Sequence, residues 1–228
     1  MAINSLLSGS SRLSGSSKYP KGLSRFHWSW LAVLIVACGI ASINPLEPPS
    51  YLMHQAGTVI GVLILMGLTV KGLVSRVGFA LTIIFMMIHV LGAHYLYSYV
   101  PYNDWIKSLT GFDLNASMGW TRNMYDRLVH FSYGLLLYRI VADVFSIWLK
   151  GLSRGRIMLL VIQFVMASSV FYEWIEWWIA MGMSPEAAES YNGQQGDLWD
   201  AHKDMFVATI GAIIAGLAER IMLIRNKP

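Results

Sequence analysis

The chain has 228 residues, of which 55% are hydrophobic and only 13% are charged. Soluble domains carry about 25% charged residues, so this composition excludes an ordinary soluble protein and indicates one embedded in a lipid bilayer. The formal net charge of +4 does not indicate nucleic-acid binding, because the basic residues lie in short segments between apolar runs. The single cysteine, Cys38, lies within the first apolar run, so an intrachain disulfide is excluded.

The first 25 residues are rich in Ser, Gly and basic residues and contain the near-duplicates LSGSSR and LSGSSK. This composition predicts a disordered N-terminal tail over residues 1–25. The apolar run that follows has no small-residue cleavage site behind it, so we predict a retained helix. A Ser- and Arg-rich transit peptide is the alternative interpretation. Residues 225–228 are predicted to form a short cytoplasmic tail.

Six apolar runs follow, each of about 18 to 26 residues, which is enough to cross a bilayer with some tilt. They cover residues 26–43, 52–70, 78–100, 127–149, 156–181 and 204–224. The sequence therefore predicts an all-α polytopic membrane bundle of six transmembrane helices, formed by one domain over residues 26–224.

Lys and Arg are distributed unevenly among the connecting segments, and positive charge accumulates on the cytoplasmic side of membranes. Twelve of the 17 lie before span 1, between spans 2 and 3, between spans 4 and 5, or after span 6: Arg12, Lys18, Lys21, Arg25, Lys71, Arg76, Lys150, Arg154, Arg156, Arg220, Arg225 and Lys227. We therefore predict that both termini are cytoplasmic. The tyrosines at the other end of span 3 suit a headgroup belt; they are Tyr95, Tyr97, Tyr99 and Tyr102.

Some features indicate helix packing rather than function. Small residues at intervals of four predict close approach of helices. They are Gly57 and Gly61 on span 2, and Ala208, Ala212 and Gly216 on span 6. Arg139 and Asp143 stand four residues apart on span 4, so an ion pair on one helix face is expected in the cytoplasmic half.

Acids and histidines gather toward the extracytoplasmic ends of four spans, and ionisable side chains are unfavourable in lipid unless they serve a purpose. The candidates for acid–base or metal-ligand roles are Asp126, His130, Glu173, Glu176, Asp200 and Asp204; His89 and His94 are further candidate metal ligands. Spacings of three or four residues place each acid pair, and Asp126 with His130, on one helix face. Carboxylate and imidazole ligands suit Zn, Mn or Fe. Carboxylates can also relay protons or act as general acid and base.

Each residue also has a structural interpretation. Acids at span ends can be solvated, Asp126 can pair with Arg122 or Arg127, and Asp204 can pair with Lys203. A buried histidine is often simply a hydrogen-bonded member of a bundle. Two further histidines are weaker candidates. His27 is expected at the cytoplasmic face, far from the cluster, and His54 is expected at the outer interface, where it could also join the cluster. The sequence leaves open whether Asp197 and His202 reach the cluster.

Four segments carry a family resemblance: HVLGAHYLYSYVP at 89–101, YDRLVHFSYG at 125–134, YEWIEW at 172–177 and QGDLWDAHKDM at 195–205. Together they resemble the YjdF family of bacterial inner-membrane proteins, over roughly residues 50–220. The resemblance implies a compact helical bundle in the bacterial cytoplasmic membrane and no particular activity. The shorter DRLVHF is similar to the DKxxHF pattern of VanZ-like proteins, which are linked with the cell envelope and glycopeptide tolerance.

Three functions fit these observations. The first is a membrane-embedded, metal-dependent hydrolase acting at the outer leaflet on an envelope or lipid-linked substrate, although no known catalytic motif is present. The second, a transporter or ion-handling protein, is less favoured because the cytoplasmic halves of the spans are almost wholly apolar and no inverted repeat is evident. The third is a non-catalytic scaffold. The lipid bilayer is the only partner that the sequence indicates; the substrate, the metal and the oligomeric state stay open.

Overall fold

The computed structural model describes residue 19 and residues 21–225, and within them the chain forms helices and no strand. The helices are α1 Arg25–Ala41, α2 Pro48–Val70, α3 Arg76–His94, α4 Tyr102–Thr110, α5 Leu114–Met118, α6 Tyr125–Trp148, α7 Arg154–Ala180, α8 Pro185–Asn192 and α9 Asp200–Arg225. Most of the predicted disordered tail lies outside the described residues, as do residues 226–228.

Five helices, α2, α3, α6, α7 and α9, are long and apolar enough to cross a membrane, and the apolar α1 is shorter at 17 residues. The prediction was an all-α membrane bundle of six spans; the structure confirms an all-helical membrane bundle with five to six helices that can span. The short helices α4, α5 and α8 lie in two of the segments that connect the long ones.

Three helix ends differ from the predicted spans by four residues or more, and one of them is the start of α9, at Asp200 rather than at residue 204. Helix α2 starts four residues early, because Glu47 accepts a hydrogen bond from the Ser50 backbone N–H at 2.8 Å and proline is well tolerated in a first helical turn. Helix α3 ends at His94 rather than at residue 100. Leu96 and Tyr97 adopt left-handed backbone conformations, with φ of 51° and 53°, which ends the helix and turns the chain back.

Helix α6 is central: it packs along α9 and also against α3 and α7, while α1 and α2 pack on α3. The α6–α9 approach is the closest. A Cβ on Gly134 would overlap the carbonyl oxygen of Ala208, and one on Gly211 would overlap that of Phe131. The small-residue stripe predicted on α9 therefore does lie at a helix–helix contact, and Ala208 is fully buried at that contact.

The glycine pair on α2 does not hold such a contact. A Cβ on Gly57 would meet nothing within 4 Å, and one on Gly61 would meet only the flexible end of Met86. The predicted close packing at Gly57 is therefore wrong. The G-x-x-x-G spacing fixes a helix face, but the surrounding helices decide whether that face meets another helix, and here it meets a cavity.

The predicted ion pair on α6 is confirmed, and it belongs to a larger cluster that defines the Asp143 end of the bundle. Arg139 Nη2 lies 3.0 Å from Asp143 Oδ1, and its Nη1 lies 2.9 Å from Glu219 Oε1 on α9. The Ser75 backbone N–H donates to Asp143 Oδ2 at 2.9 Å. The carboxylate of Asp143 thus joins α6 to the start of α3.

Candidate functional site

The candidate site lies where the first turns of α6 and α9 meet, here called the Asp126 end of the bundle. Asp126 and His130 lie on one face of α6, and Asp200 and Asp204 on one face of α9. The N-terminal ends of both helices lie here, where the helix dipole stabilises carboxylates. Asp126, His130 and Asp204 are 8%, 9% and 2% exposed, so the site is buried.

Three side chains form a group with metal-ligand geometry. Asp126, His130 and Asp204 each offer one ligand atom, and these atoms lie within 4.8 Å of one another. His130 Nε2 is 3.6 Å from Asp126 Oδ1 and 4.0 Å from Asp204 Oδ1. Ligand atoms around one Zn²⁺ ion lie at most about 4.2 Å apart, so a small closing movement would bring these three onto a single ion.

Two arginines bind the aspartates of α9. Asp200 Oδ1 accepts hydrogen bonds of 2.6 Å from Arg122 Nη1 and from Arg127 Nη2. Arg127 Nη1 also pairs with Asp204 Oδ1. Asp200 is therefore held between two guanidinium groups, an anchoring role that differs from the three-ligand group. Sequence reasoning had considered these arginines only as partners of Asp126.

Lys203 pairs with Asp197 at 2.6 Å rather than with Asp204. This hydrogen bond, together with one from the Trp199 backbone N–H, lowers the pKa of Asp197 to about 2. Asp197 also lies 3.4 Å from Arg122 and 3.3 Å from Arg127, so it joins the arginine network. His202 is exposed and packs edge-on to Trp199, with ring centres 5.2 Å apart.

Helix α7 adds two glutamates. Glu176 lines the same cavity as Asp126 and His130. Glu173 lines a smaller cavity with Asp200, and its Oε1 is buried without a hydrogen-bond partner. This end therefore holds more carboxyl groups than cations to balance them. Buried surplus charge is strongly unfavourable, so protons or a bound cation must offset it.

The histidines predicted as further ligands lie apart from the group of three. His89 lines the cavity, where its Nδ1 accepts from the Tyr97 hydroxyl at 2.7 Å and its Nε2 donates to the His54 carbonyl at 3.3 Å. His94 Nδ1 donates to the Ala41 carbonyl at 2.8 Å. Both ring nitrogens of His89 and one of His94 thus have partners within the bundle.

A cavity of about 590 Å³ runs from this site between α2, α3, α6 and α7. Its polar end is lined by Asp126, His130, Glu176, His89, Tyr97 and Tyr191, and its remaining walls are almost wholly apolar. Tyr97 was predicted in a headgroup belt, but it is 6% exposed and buried. The left-handed turn after α3 carries its side chain inward, and the tyrosine pattern alone gives no signal of such a turn.

The segment between α8 and α9 covers this polar end. Arg122 Nη2 donates to the Gly193 carbonyl at 3.0 Å, and Nη1 donates to that of Gln194 at 3.1 Å. Gln195 accepts from the Asn123 backbone N–H at 2.9 Å. Arg122 therefore fixes both the cover and Asp200, a role that sequence reasoning missed because the cover consists of loop residues without a periodic pattern.

Comparison with known proteins gives the family. No solved structure matches this chain. The inner membrane protein YjdF of Escherichia coli (strain K12) is 30% identical over 183 residues, which are 80% of this chain and 82% of that protein. The shorter resemblance to VanZ-like proteins stays a prediction. The family described as "Predicted membrane protein (DUF2238)" matches residues 26–225, and the chain therefore belongs to this family as a multi-pass protein of the inner membrane.

Proposed function

We propose that this protein is a membrane-embedded, metal-dependent hydrolase that acts on an envelope or lipid-linked substrate. One observation carries the proposal. Asp126, His130 and Asp204 form one buried group with metal-ligand chemistry, and Asp126 and His130 of this group line the polar end of a cavity whose other walls are mostly apolar. Lipid-embedded ionisable groups mark functional sites, and an adjoining apolar cavity suits an amphiphilic substrate.

Charge balance supports a divalent cation. Asp200 and Asp197 are bound by Arg122 and Arg127, whereas Asp126, Glu173 and Glu176 have no arginine or lysine within ion-pair distance among the described residues. Asp204 Oδ1 contacts Arg127, but Arg127 also pairs with Asp197 and Asp200, so one guanidinium group faces three carboxylates. Two carboxylates and an imidazole are ligands for Zn, Mn or Fe, and three protein ligands leave a position open for water or substrate.

The chemistry needs only water as co-reactant. Asp126, His130 and Asp204 would hold a divalent cation, which would lower the pKa of a bound water and so supply a nucleophile near neutral pH. The water oxygen bonds to the electrophilic centre of the substrate, the bond from that centre to the leaving oxygen breaks, and the leaving oxygen takes a proton. Glu176 lines the same cavity. Its carboxylate is the group placed to take a proton from the water as general base and then to give it to the leaving oxygen.

The proposal places the Asp126 end at the extracytoplasmic face. Its support is the charge of the connections at the Asp143 end, which hold Lys71, Arg76, Lys150, Arg154 and Arg156. The test uses a Cys38→Ala background with single cysteines at two exposed serines, Ser108→Cys and Ser153→Cys. An impermeant thiol reagent added to intact cells should label the first and not the second. The reverse pattern would overturn the orientation.

A non-catalytic scaffold is the second candidate, and a specific observation favours it. Arg127 contacts Asp197, Asp200 and Asp204, which join α6 to α9, and such a network can serve stability alone. Transport has less support, because most residues that line the cavity toward the Asp143 end are apolar, among them Leu68, Ile140 and Val144.

Elemental analysis of the purified protein separates these candidates. Wild type, prepared with divalent metal, should hold about one ion per chain, as a single three-ligand site does. Asp126→Asn and His130→Asn should lose it while remaining folded. His94→Asn is the matched control, because His94 lies at the same end of the bundle but outside the group of three. Metal-free folded wild type, or equal metal in all four proteins, would contradict the metal centre.

A further inference from the structure

The geometry points to the class of substrate: an ester of a long-chain fatty acid with an uncharged alcohol, whose acyl chain occupies the cavity and whose ester group lies at Asp126, His130 and Asp204. This inference rests on the proposed function and names the substrate of the same site. Three observations support it: the length of the cavity, the side on which it opens, and the charges at its polar end.

The cavity is long and narrow. On α6 its lining residues run from Asp126 to Trp148, a rise of about 33 Å. One leaflet of a bilayer is about 15 Å thick in its hydrocarbon part, so the whole acyl chain of an ordinary membrane lipid fits along this wall. The lining beyond the polar end includes Leu65, Phe85 and Val141, side chains that favour a hydrocarbon occupant.

The cavity opens sideways, between α2 and α7. Both helices contribute residues to the cavity lining, yet α2 packs on α3 while α7 packs on α6, α8 and α9. Gly57 on α2 is exposed and has open space at its Cβ position, and Phe164 on α7 is 45% exposed. Because both helices lie within the bilayer, an acyl chain can enter laterally from the lipid without crossing water.

The polar end selects the head group by charge. Asp126 and Glu176 line it, and no lysine or arginine lines the cavity among the described residues. A divalent ion on the three ligands is balanced by Asp126 and Asp204, so the charge of Glu176 stays in excess. A phosphate or carboxylate head would be repelled there, whereas a hydroxyl group can donate hydrogen bonds to a carboxylate.

The reaction balances with water alone. The water oxygen bonds to the acyl carbon, the bond between that carbon and the alkoxy oxygen breaks, and the alkoxy oxygen takes a proton to become the free alcohol. The other product is a fatty acid, which ionises near neutral pH. Its carboxylate is then repelled by Glu176, which favours release of the product into the bilayer.

Photolabelling of the full-length protein in lipid nanodiscs tests the inference. The probe is a monoacylglycerol with a diazirine in its acyl chain, and labelling is measured by mass spectrometry. Gly57→Phe fills the cavity and should reduce labelling about tenfold, and Gly57→Leu should reduce it less. Gly67→Phe is the matched control: this glycine of α2 is also exposed with open space, but it does not line the cavity, so labelling should stay within about twofold of wild type.

The outcomes separate this inference from the proposed function. Equal labelling of Gly57→Phe and Gly67→Phe would overturn the cavity assignment. Stronger labelling by a diazirine lysophosphatidic acid, whose head is anionic, would overturn the head-group assignment. Neither readout requires turnover, so selective labelling of a protein without metal contradicts the hydrolase alone. Bound metal without selective labelling contradicts the substrate class alone.

Discussion

Replacement of Arg127 by methionine is the sharpest test of how the Asp126 end is held together. Arg127 Nη2 lies 2.6 Å from Asp200 Oδ1, and its Nη1 pairs with Asp204, whose side chain is 3% exposed. Methionine fills much of the same volume but carries no charge. Because Asp204 has no second arginine or lysine within ion-pair distance among the described residues, the change leaves a buried carboxylate without a cation.

The magnitude follows from this geometry. Removing one partner of a buried ion pair lowers the free energy of unfolding by about 3–5 kcal/mol. Asp200 keeps its ion pair with Arg122 at 2.6 Å, so only Asp204 loses its cation. We therefore expect the free energy of unfolding to fall by about 3 kcal/mol, the lower part of that range. Arg154→Met is the matched control, because Arg154 is exposed and its hydrogen bond to Ser146 is long, at 3.4 Å; its effect should stay within about 0.5 kcal/mol.

Equilibrium unfolding in detergent micelles, followed by circular dichroism, measures these differences. Asp204→Asn removes the carboxylate that Arg127→Met leaves unpaired, so the double variant should recover part of the loss. Equal stability of Arg127→Met and Arg154→Met would contradict the pairing of Arg127 with Asp204. So would a double variant in which Asp204→Asn adds its full effect to that of Arg127→Met, because the two side chains would then not be coupled.

Three further predictions use the same unfolding measurement. Gly134→Ala should lower the free energy of unfolding by about 3 kcal/mol or more, because the added Cβ overlaps the backbone of Ala208 and close overpacking is strongly destabilising. Gly155→Ala is the control: its Cβ would enter open space, so it should not destabilise the protein. Asp143→Asn should lower the free energy of unfolding by about 3 kcal/mol, because it removes a buried ion-pair partner. The pKa of Asp197 is lowered to about 2 from about 3.9, so its stabilising effect is complete above about pH 5 and is lost as the pH falls toward 2. Asp197→Asn should therefore lose less stability than wild type over that acid range, and an equal loss would contradict the assignment.

Much of the architecture could be predicted from the sequence because lipid imposes simple rules. Apolar length identifies the spans, and the unfavourable energy of ionisable groups in hydrocarbon predicts that the acids and histidines near one end of the bundle gather in one site. The structure brings Asp126, His130 and Asp204 of these candidates within ligand distance of one another, whereas His89 and His94 have other partners. Which carboxylates Arg127 would bind was not predictable, because the choice between Asp126 and Asp204 depends on how α9 is rotated against α6.

The glycines also show that sequence spacing does not predict which helices will meet. The spacing of Gly57 and Gly61 predicts a helix contact, yet Gly57 faces a cavity, while Gly134 has no matching pattern on α6 and forms the closest approach in the bundle. Sequence spacing defines which residues share a helix face, but it does not define what that face meets. Tyr97 was misplaced for a related reason, since its inward direction comes from two non-glycine residues with positive φ.

The contrast between the two ends of the bundle supports a functional origin for the acidic site. At the Asp143 end both oxygens of Asp143 have partners, in Arg139, Ser75 and Tyr19. At the Asp126 end, Glu173 Oε1 is buried without a hydrogen-bond partner among the described residues. The same chain can therefore satisfy a buried carboxylate fully where stability alone is at stake. It leaves a carboxylate oxygen unsatisfied beside the site that adjoins the cavity, and incomplete satisfaction of this kind is expected where a ligand completes the site.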